Sequence, residues 1–542
     1  MDKALNMGKS SATGSFYLLI GVVGSTVIMA LGTIVLGWLL SRDELGLYGV
    51  ALIPSSMINF IRDWGVNSAM IKQIAGLRAA NKEDEIHDVI VSGVIFEIVS
   101  GAALSVLCFA IADVLASFLQ MPASSTLISI MSLSIFAGAI LASANAVFVG
   151  FERMKLSSFT TIFSAVTKTA LGPLLVILNF GVLGAVIGSA VSVAAGAAAG
   201  IIIVYFVMFK PIQKSKVSLS KIFRNLRSML RYGIPLTISN TVVGVLPLIF
   251  AFVMAPIAKE SLMGDYYAAS YFTVLLTFFT IPISTALFPA FAKVNPKDEP
   301  ELLKRVFSSS VKYTSVLVVP ATMVIMALAN PIVNTLWPQK FPFAPLFLAL
   351  SVIINLYVVV GYISLGTFLT GVGETGFLMK QGGLSFLVSL LFVFFLIPFF
   401  GATNSSLAVV VAILGIFLSA LPSLIWGLYW VWKRFGVKAD FLESAKIFAA
   451  SSIAAIITFL FLNIFSAAAW IMLISGFAVF LLVYLAGAPL LGAVTQTDVD
   501  NLRAMFSSLG MVSKLLEIPL KFVEIPLQLR RRQGLNKKKQ IL

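Results

Sequence analysis

Between residues 14 and 488 the chain returns about fourteen times to runs of roughly twenty apolar residues, the length a helix needs to cross the ~30 Å hydrocarbon core of a bilayer. One aqueous core cannot absorb that much apolar chain, since 59% of the 542 residues are hydrophobic and 11% are charged. In lipid, backbone polar groups are satisfied only in helices or closed barrels. Barrel strands would be half this length and alternate in polarity, so a barrel is excluded. The expectation is an all-α polytopic membrane protein of about 14 transmembrane helices. Pro173, Pro247, Pro282 and Pro422 fall inside spans, where neighbouring helices can satisfy the freed carbonyls.

Charge distribution sets the expected topology. With both termini in the cytoplasm, all but four of the 38 basic residues lie on the inner side, as the excess of Lys and Arg in cytoplasmic loops requires. Arg42, Lys259 and Lys340 fall outside, and Lys168 lies within a span. The net charge of +15 therefore records topology. Nucleic acid is excluded as a partner, because no soluble basic domain exists to hold it. Anionic membrane lipids are the expected partners of the basic loops. The first span is too long for a signal peptide and lacks a small-residue cleavage site, so it reads as an uncleaved anchor. The lone Cys108 reads as a small core residue.

One motif occurs twice. Ser41 to Ala51, "SRDELGLYGVA", and Ala258 to Ala269, "AKESLMGDYYAA", each lead from a polar turn through Gly-x-Tyr into a new apolar run, with Gly46 and Gly264 218 residues apart. Each is then the outer hairpin of a six-span half, and the halves are parallel repeats in a pseudo-two-fold arrangement. The expected organisation is an N-terminal half over 1–209, a cytoplasmic basic linker over 210–231, a C-terminal half over 232–432, two additional spans over 433–488 and a cytoplasmic amphipathic and polybasic tail over 489–542. In the tail, Thr497 and Asp500 are placed to cap a helix whose face carries Val499, Leu502, Phe506 and Leu509, and that face is expected on the membrane.

A series of further segments carries a resemblance. "RDELGLYGVA", "IRDWGVNSAMIKQIA" (Ile61 to Ala75), "VGFERMKLSSF" (Val149 to Phe159), "MLRYGIPLTISN" (Met229 to Asn240) and "ALFPAFAKV" (Ala286 to Val294) follow in order. Together they resemble the polysaccharide-transporter branch (Wzx-type) of the multidrug/oligosaccharidyl-lipid/polysaccharide superfamily. The resemblance implies a flippase for lipid-linked oligosaccharides, not an enzyme, that works by alternating access without a cofactor or metal. It also implies a prokaryotic plasma membrane, an isoprenoid-phosphate-linked glycan as substrate, neighbouring glycan-assembly enzymes, and H+ or Na+ as a coupling ion. Arg62, at the inner end of span two, is implied as a holder of phosphate, with a positive-inside anchor as its plainer role.

Such a substrate needs a hydrated cavity with hydroxyl and amide groups for sugar and a cation for phosphate. Asn59, Asn145, Asn240, Asn355, Tyr266 and Tyr267 are the candidate polar groups, each equally suited to joining helices. Glu97 and Lys168 are the ionisable residues deep in spans, at similar depth by helix rise. That shared level allows them to pair, either to fix helix packing or to serve substrate or proton binding.

Other motifs fail on context. Gly371, Gly373 and Gly376 have a nucleotide-loop spacing but join two spans and follow no strand. His87 has no metal-ligand company. A drug or cation antiporter of the same superfamily is the rival reading, and it calls for a cavity carboxylate that spans one, seven and eight lack, leaving Glu97 alone. An embedded glycan polymerase is a weaker rival, because no nucleophile and base meet in the short outer loops.

Overall fold

A computed structural model describes residues 2–80, 82–209, 218–277, 298–506 and 521–527, with scattered positions from 280 to 296. The described residues form helices joined by short turns. Eleven helices are long and apolar enough to cross a membrane, and a bent pair supplies a twelfth crossing. Two of the eleven double back. In Met154–Val207 the chain reverses at Asn179 (φ 66) and Gly181 (φ 55); a Cβ on Gly188 would lie 2.5 Å from the Gly172 backbone, so the two arms are antiparallel neighbours. In Leu219–Thr273 the break is at Lys259 (φ 56). Leu248 and Tyr271 then line one cavity, although a straight helix would set them ~34 Å apart. Counted this way, the described residues supply fourteen apolar arms, in line with the number that hydropathy predicts.

The chain divides into two compact units, Met1–Val274 with Gly382–Ser419, and Leu275–Gln381 with Ala420–Leu542.

In the first unit, span two (Arg42–Arg62) opens on a capping box, Glu44 N–H donating to Ser41 Oγ and Ser41 N–H to the Glu44 carboxylate. Gly46 lies one turn further in. A Cβ there would sit 1.8 Å from the Glu260 carbonyl oxygen, and one on Gly264 would sit 2.1 Å from the Arg42 carbonyl oxygen. The two copies of the repeated motif thus meet reciprocally, each glycine against the other copy's backbone, the contact that only a missing side chain permits. Arg42 spans the same junction to fully buried Asp265. These contacts tie the two motifs together at the base-poor end of the unit.

The repeat extends to backbone detail. Arg153 N–H closes on the Phe148 carbonyl before the helix Met154–Leu175, and Glu374 N–H on the Leu369 carbonyl before the helix Thr375–Leu391. Left-handed residues sit at matching positions, Glu152 (φ 59) with Gly373 (φ 87) and Gln120 (φ 55) with Gln339 (φ 55). Gly373 is therefore a turn glycine. A π turn follows in both copies, Val176–Phe180 and Phe392–Leu396.

The copies differ at spans four and ten. Ser124–Gly150 is an unbroken helix. Its counterpart runs Ala344–Ser351, tightens to a 3-10 stretch over Ile353–Val360, and turns 59° at left-handed Gly361 before Tyr362–Val372. Ser315 Oγ donates to the Val358 carbonyl in this stretch.

In the second unit, spans nine (Pro300–Ala327), thirteen (Phe441–Ile464) and fourteen (Ala469–Leu490) enclose an apolar core of Val318, Val319, Ile447, Ala450, Phe480 and Ala488. The tail joins that core: Val499, Val523 and Leu527 are buried in it. Val499 faces protein rather than lipid, which corrects the expectation of a membrane-lying face there; the side chains of Leu502 and Phe506, and all of Leu509, lie outside the described residues. The cap also lies earlier than the sequence suggests. Asp498 accepts from Thr495 N–H and Oγ1, and the helix runs Gln496–Phe506. Lys312 of span nine clamps the tail through Asp498 at 2.8 Å and span thirteen through Glu443 at 2.5 Å.

Candidate functional site

Within the first unit, spans one, two, five, seven and eight surround a cavity of about 180 Å³ lined by Thr33, Tyr48, Ser56, Lys168, Tyr267 and Tyr271 among others. Small residues bring the walls together. A Cβ on Gly32 of span one would lie 2.9 Å from the Thr169 Cα of span five, and Thr169 Oγ1 donates to the Ile28 carbonyl. That joint presents the preceding residue, Lys168, to the cavity. Across from it, a Cβ on Gly49 would lie 2.1 Å from the Tyr267 ring, so the missing side chain is the space the ring fills. Tyr48 is buried, and its hydroxyl is 2.8 Å from Ser189 Oγ of span six.

The charge at this site differs from the other bases inside the protein. Arg42 is matched by Asp265, Arg62 by Glu97 and Lys312 by Glu443 and Asp498. Half-buried Lys168 forms no ion pair with any described residue. It lies fourteen residues beyond Met154, ~21 Å along its helix from the basic end. An ammonium at that depth without a counter-charge is tolerated where it faces water or an anion.

Glu97 does not reach Lys168. It is fully buried, accepts from Asn67 Nδ2 at 3.0 Å and pairs with Arg62. The pairing that equal depth allowed is not formed: helix rise sets height but not azimuth, and Glu97 faces the junction of span two with the helix Val66–Ala79. Arg62 is correspondingly turned to Glu97 with 4% of its surface exposed, so it holds no phosphate in this arrangement.

The remaining candidates separate. Asn59 donates to the Ser55 carbonyl and packs at Gly138 of span four. Asn145 accepts from Thr160 and joins spans four and five. Asn355 bonds its own 3-10 turn in the second unit. Tyr266 stacks edge-on with Tyr267, centroids 5.4 Å apart, while Tyr267 lines the cavity. The Asn240 side chain lies outside the described residues. Tyr48, Tyr271 and Asp265 were missed. Tyr48 precedes Gly49 in the repeated motif, and Tyr271 follows Tyr267 by one helical turn, so helical spacing places Tyr271 on the face of Tyr267 without marking that face as a cavity wall. Asp265 reads as a turn residue in "MGDYY" and is instead a buried acid of span eight. No group of three His, Cys, Asp or Glu that could hold a metal occurs among the described residues.

Comparison places these features in a wider setting. The profile of a family described as polysaccharide biosynthesis protein matches residues 35–343. No curated protein matches by sequence. Among solved structures, the lipid II flippase MurJ in an inward closed conformation is similar with a TM-score of 0.68 at 15% identity, covering 87% of this chain and 98% of its own. An inward-facing multidrug resistance MATE transporter of the MOP superfamily is similar at 0.61 and 15% identity, with 75% and 94% covered. A MOP superfamily transporter from Pyrococcus furiosus gives 0.50 and 16% identity over 77% and 95%. These likenesses show a shared fold.

Proposed function

The chain belongs to the polysaccharide biosynthesis protein family and has the fold of the MOP transporters, and we propose that it is a flippase carrying an isoprenoid-linked oligosaccharide from the cytoplasmic to the outer leaflet of a prokaryotic plasma membrane. The observation that carries this reading is Lys168, an unpaired ammonium at mid-depth in a cavity walled by hydroxyl-bearing side chains. The missing counter-charge is supplied by the anionic head group. Tyr267, Tyr271, Thr33 and Ser56 offer hydroxyls to sugar, and Asn59 and Tyr266 support the walls rather than touch substrate.

Alternating access needs an end that closes. The junction of Gly46 with Gly264, bridged by Arg42 and Asp265, is the proposed outer gate, shut while the head group enters from the cytoplasm. Both termini are cytoplasmic in this reading, and the basic loops meet anionic lipid and the enzymes that assemble the glycan. Outward movement of one negative charge gains about 2.3 kcal/mol per 100 mV of inside-negative potential, so the potential assists transport, with H+ or Na+ as the coupling ion where one is used. MurJ is named a lipid II flippase, which supports a lipid-linked glycan here.

The antiporter reading fares worse. A cationic drug needs an available carboxylate, and Asp265 and Glu97 are each neutralised by an arginine. Purified protein in vesicles is expected to move a fluorescent isoprenoid-linked oligosaccharide between leaflets, and its overproduction to confer no resistance to cationic dyes. Dye efflux without lipid movement would overturn the flippase reading.

A further inference from the structure

The cavity around Lys168 is small. Its 180 Å³ compares with a liquid-water share of ~30 Å³ per molecule, and lies below the roughly 300–1,000 Å³ of sites for drug-sized ligands. That volume matches one pyranose ring rather than a whole oligosaccharide. Tyr48, Tyr267 and Tyr271 line it, and tyrosine supplies the large, rigid, amphipathic surface that suits a sugar with one apolar and one hydroxylated side.

The charge is equally selective. Lys168 is the one base among the residues lining the cavity, and a lysine presents a compact single charge rather than the forked bidentate pattern by which arginine holds phosphates. Depth separates the two anions of the proposed substrate. A carrier phosphate begins at head-group level in the inner leaflet, ~21 Å along span five from Lys168, whereas sugars further from the lipid reach inward.

We propose that this cavity is a subsite for one acidic sugar, with Lys168 binding the ring's carboxylate and Tyr267 and Tyr271 flanking the ring, so that the protein selects glycans carrying a hexuronic acid. The inference rests on the flippase reading for its role in transport, but not for the binding itself. A carboxylate in the cavity completes Lys168 as Asp265 completes Arg42.

Two measurements test it. In vesicles, a polyprenyl-diphosphate disaccharide ending in glucuronic acid is expected to cross at least roughly tenfold faster than one ending in glucose, the factor of a charge-assisted hydrogen bond. Lys168→Met brings that ratio to about one, and Lys168→Arg keeps part of it. Equal loss on both lipids would assign Lys168 to the carrier phosphate and overturn the proposal, as would a wild type without preference. Separately, free glucuronate is expected to raise the thermal midpoint of the detergent-solubilised wild type and not of Lys168→Met, with glucose raising neither. If glucuronate protects but neither lipid crosses, the flippase reading fails and the subsite stands; if glucuronate gives no protection, the subsite is wrong whatever the lipids do.

Discussion

Arg42 Nε donates to Asp265 Oδ1 at 3.0 Å while its Nη2 reaches Oδ2, a two-pronged bond that ties one copy of the repeated motif to the other. Asp265 is fully buried, so the bond is also what permits an acid at that position.

Removing Arg42 should therefore harm the protein more than removing both partners. Arg42→Met leaves the buried carboxylate uncompensated and is expected to cost about 3 kcal/mol. Arg42→Met with Asp265→Leu is expected to recover most of it. Detergent thermal melts of the three proteins decide this; equal losses in the single and double variants would contradict the pairing.

The two gate glycines should respond alike. Gly46→Ala and Gly264→Ala each drive a methyl group into the other copy's carbonyl oxygen, at 1.8 and 2.1 Å, and overpacking of this kind typically costs about 1–3 kcal/mol. Either is expected to spread the base-poor end. A cysteine at Tyr267 should then gain reactivity toward an impermeant thiol reagent added outside cells, and unchanged labelling would count against the gate.

Glu97 and Arg62 form the second buried pair. Glu97→Gln or Arg62→Met alone is expected to lower stability by about 3–5 kcal/mol, and the double change to restore folding and lipid movement together. A stable double variant that no longer moves lipid would instead make the pair part of ion coupling.

The tail is an integral piece of the second unit. Asp498→Ala removes one of two acids on Lys312 and the acceptor for Thr495, an expected loss of about 1–3 kcal/mol. Limited proteolysis should then cut the tail near residue 495 faster than in the wild type. A cleavage rate that does not change would show that the clamp adds nothing.

Orientation has its own test. Cysteines replacing Lys259 and Lys340 should react with the impermeant reagent in intact cells, and one replacing Lys433 should not. The reverse pattern would invert the proposed topology.

Hydropathy disclosed the spans because lipid demands long apolar helices, and the paired motif disclosed the repeat because both copies need glycine where backbones touch. Lys168 stood out as the one base deep in a span. The partners of the charged residues were not legible. Depth along a helix does not say which way Glu97 faces, and its arginine lies at the end of another span. Asp265 was hidden because Gly264, Asp265 and Tyr266 read as a turn, although the glycine serves close packing. The cap at Thr495 was misplaced because Thr497 and Asp500 offer the same spacing two residues on. Tyr48 and Tyr271 carry no sign of a cavity, since aromatic residues fill membrane cores as readily as they line them.

The jointed helix at Gly361 makes the two copies mechanically unequal. Span four carries an uninterrupted ladder of backbone bonds over 27 residues and resists flexing along its whole length. Its counterpart has eight residues in the tighter 3-10 winding and a left-handed elbow, where fewer bonds oppose a change of angle. The two copies thus carry one stiff strut and one compliant one. Any load that bends both spans will be taken up first at the elbow, so bending of the second copy concentrates at a single glycine.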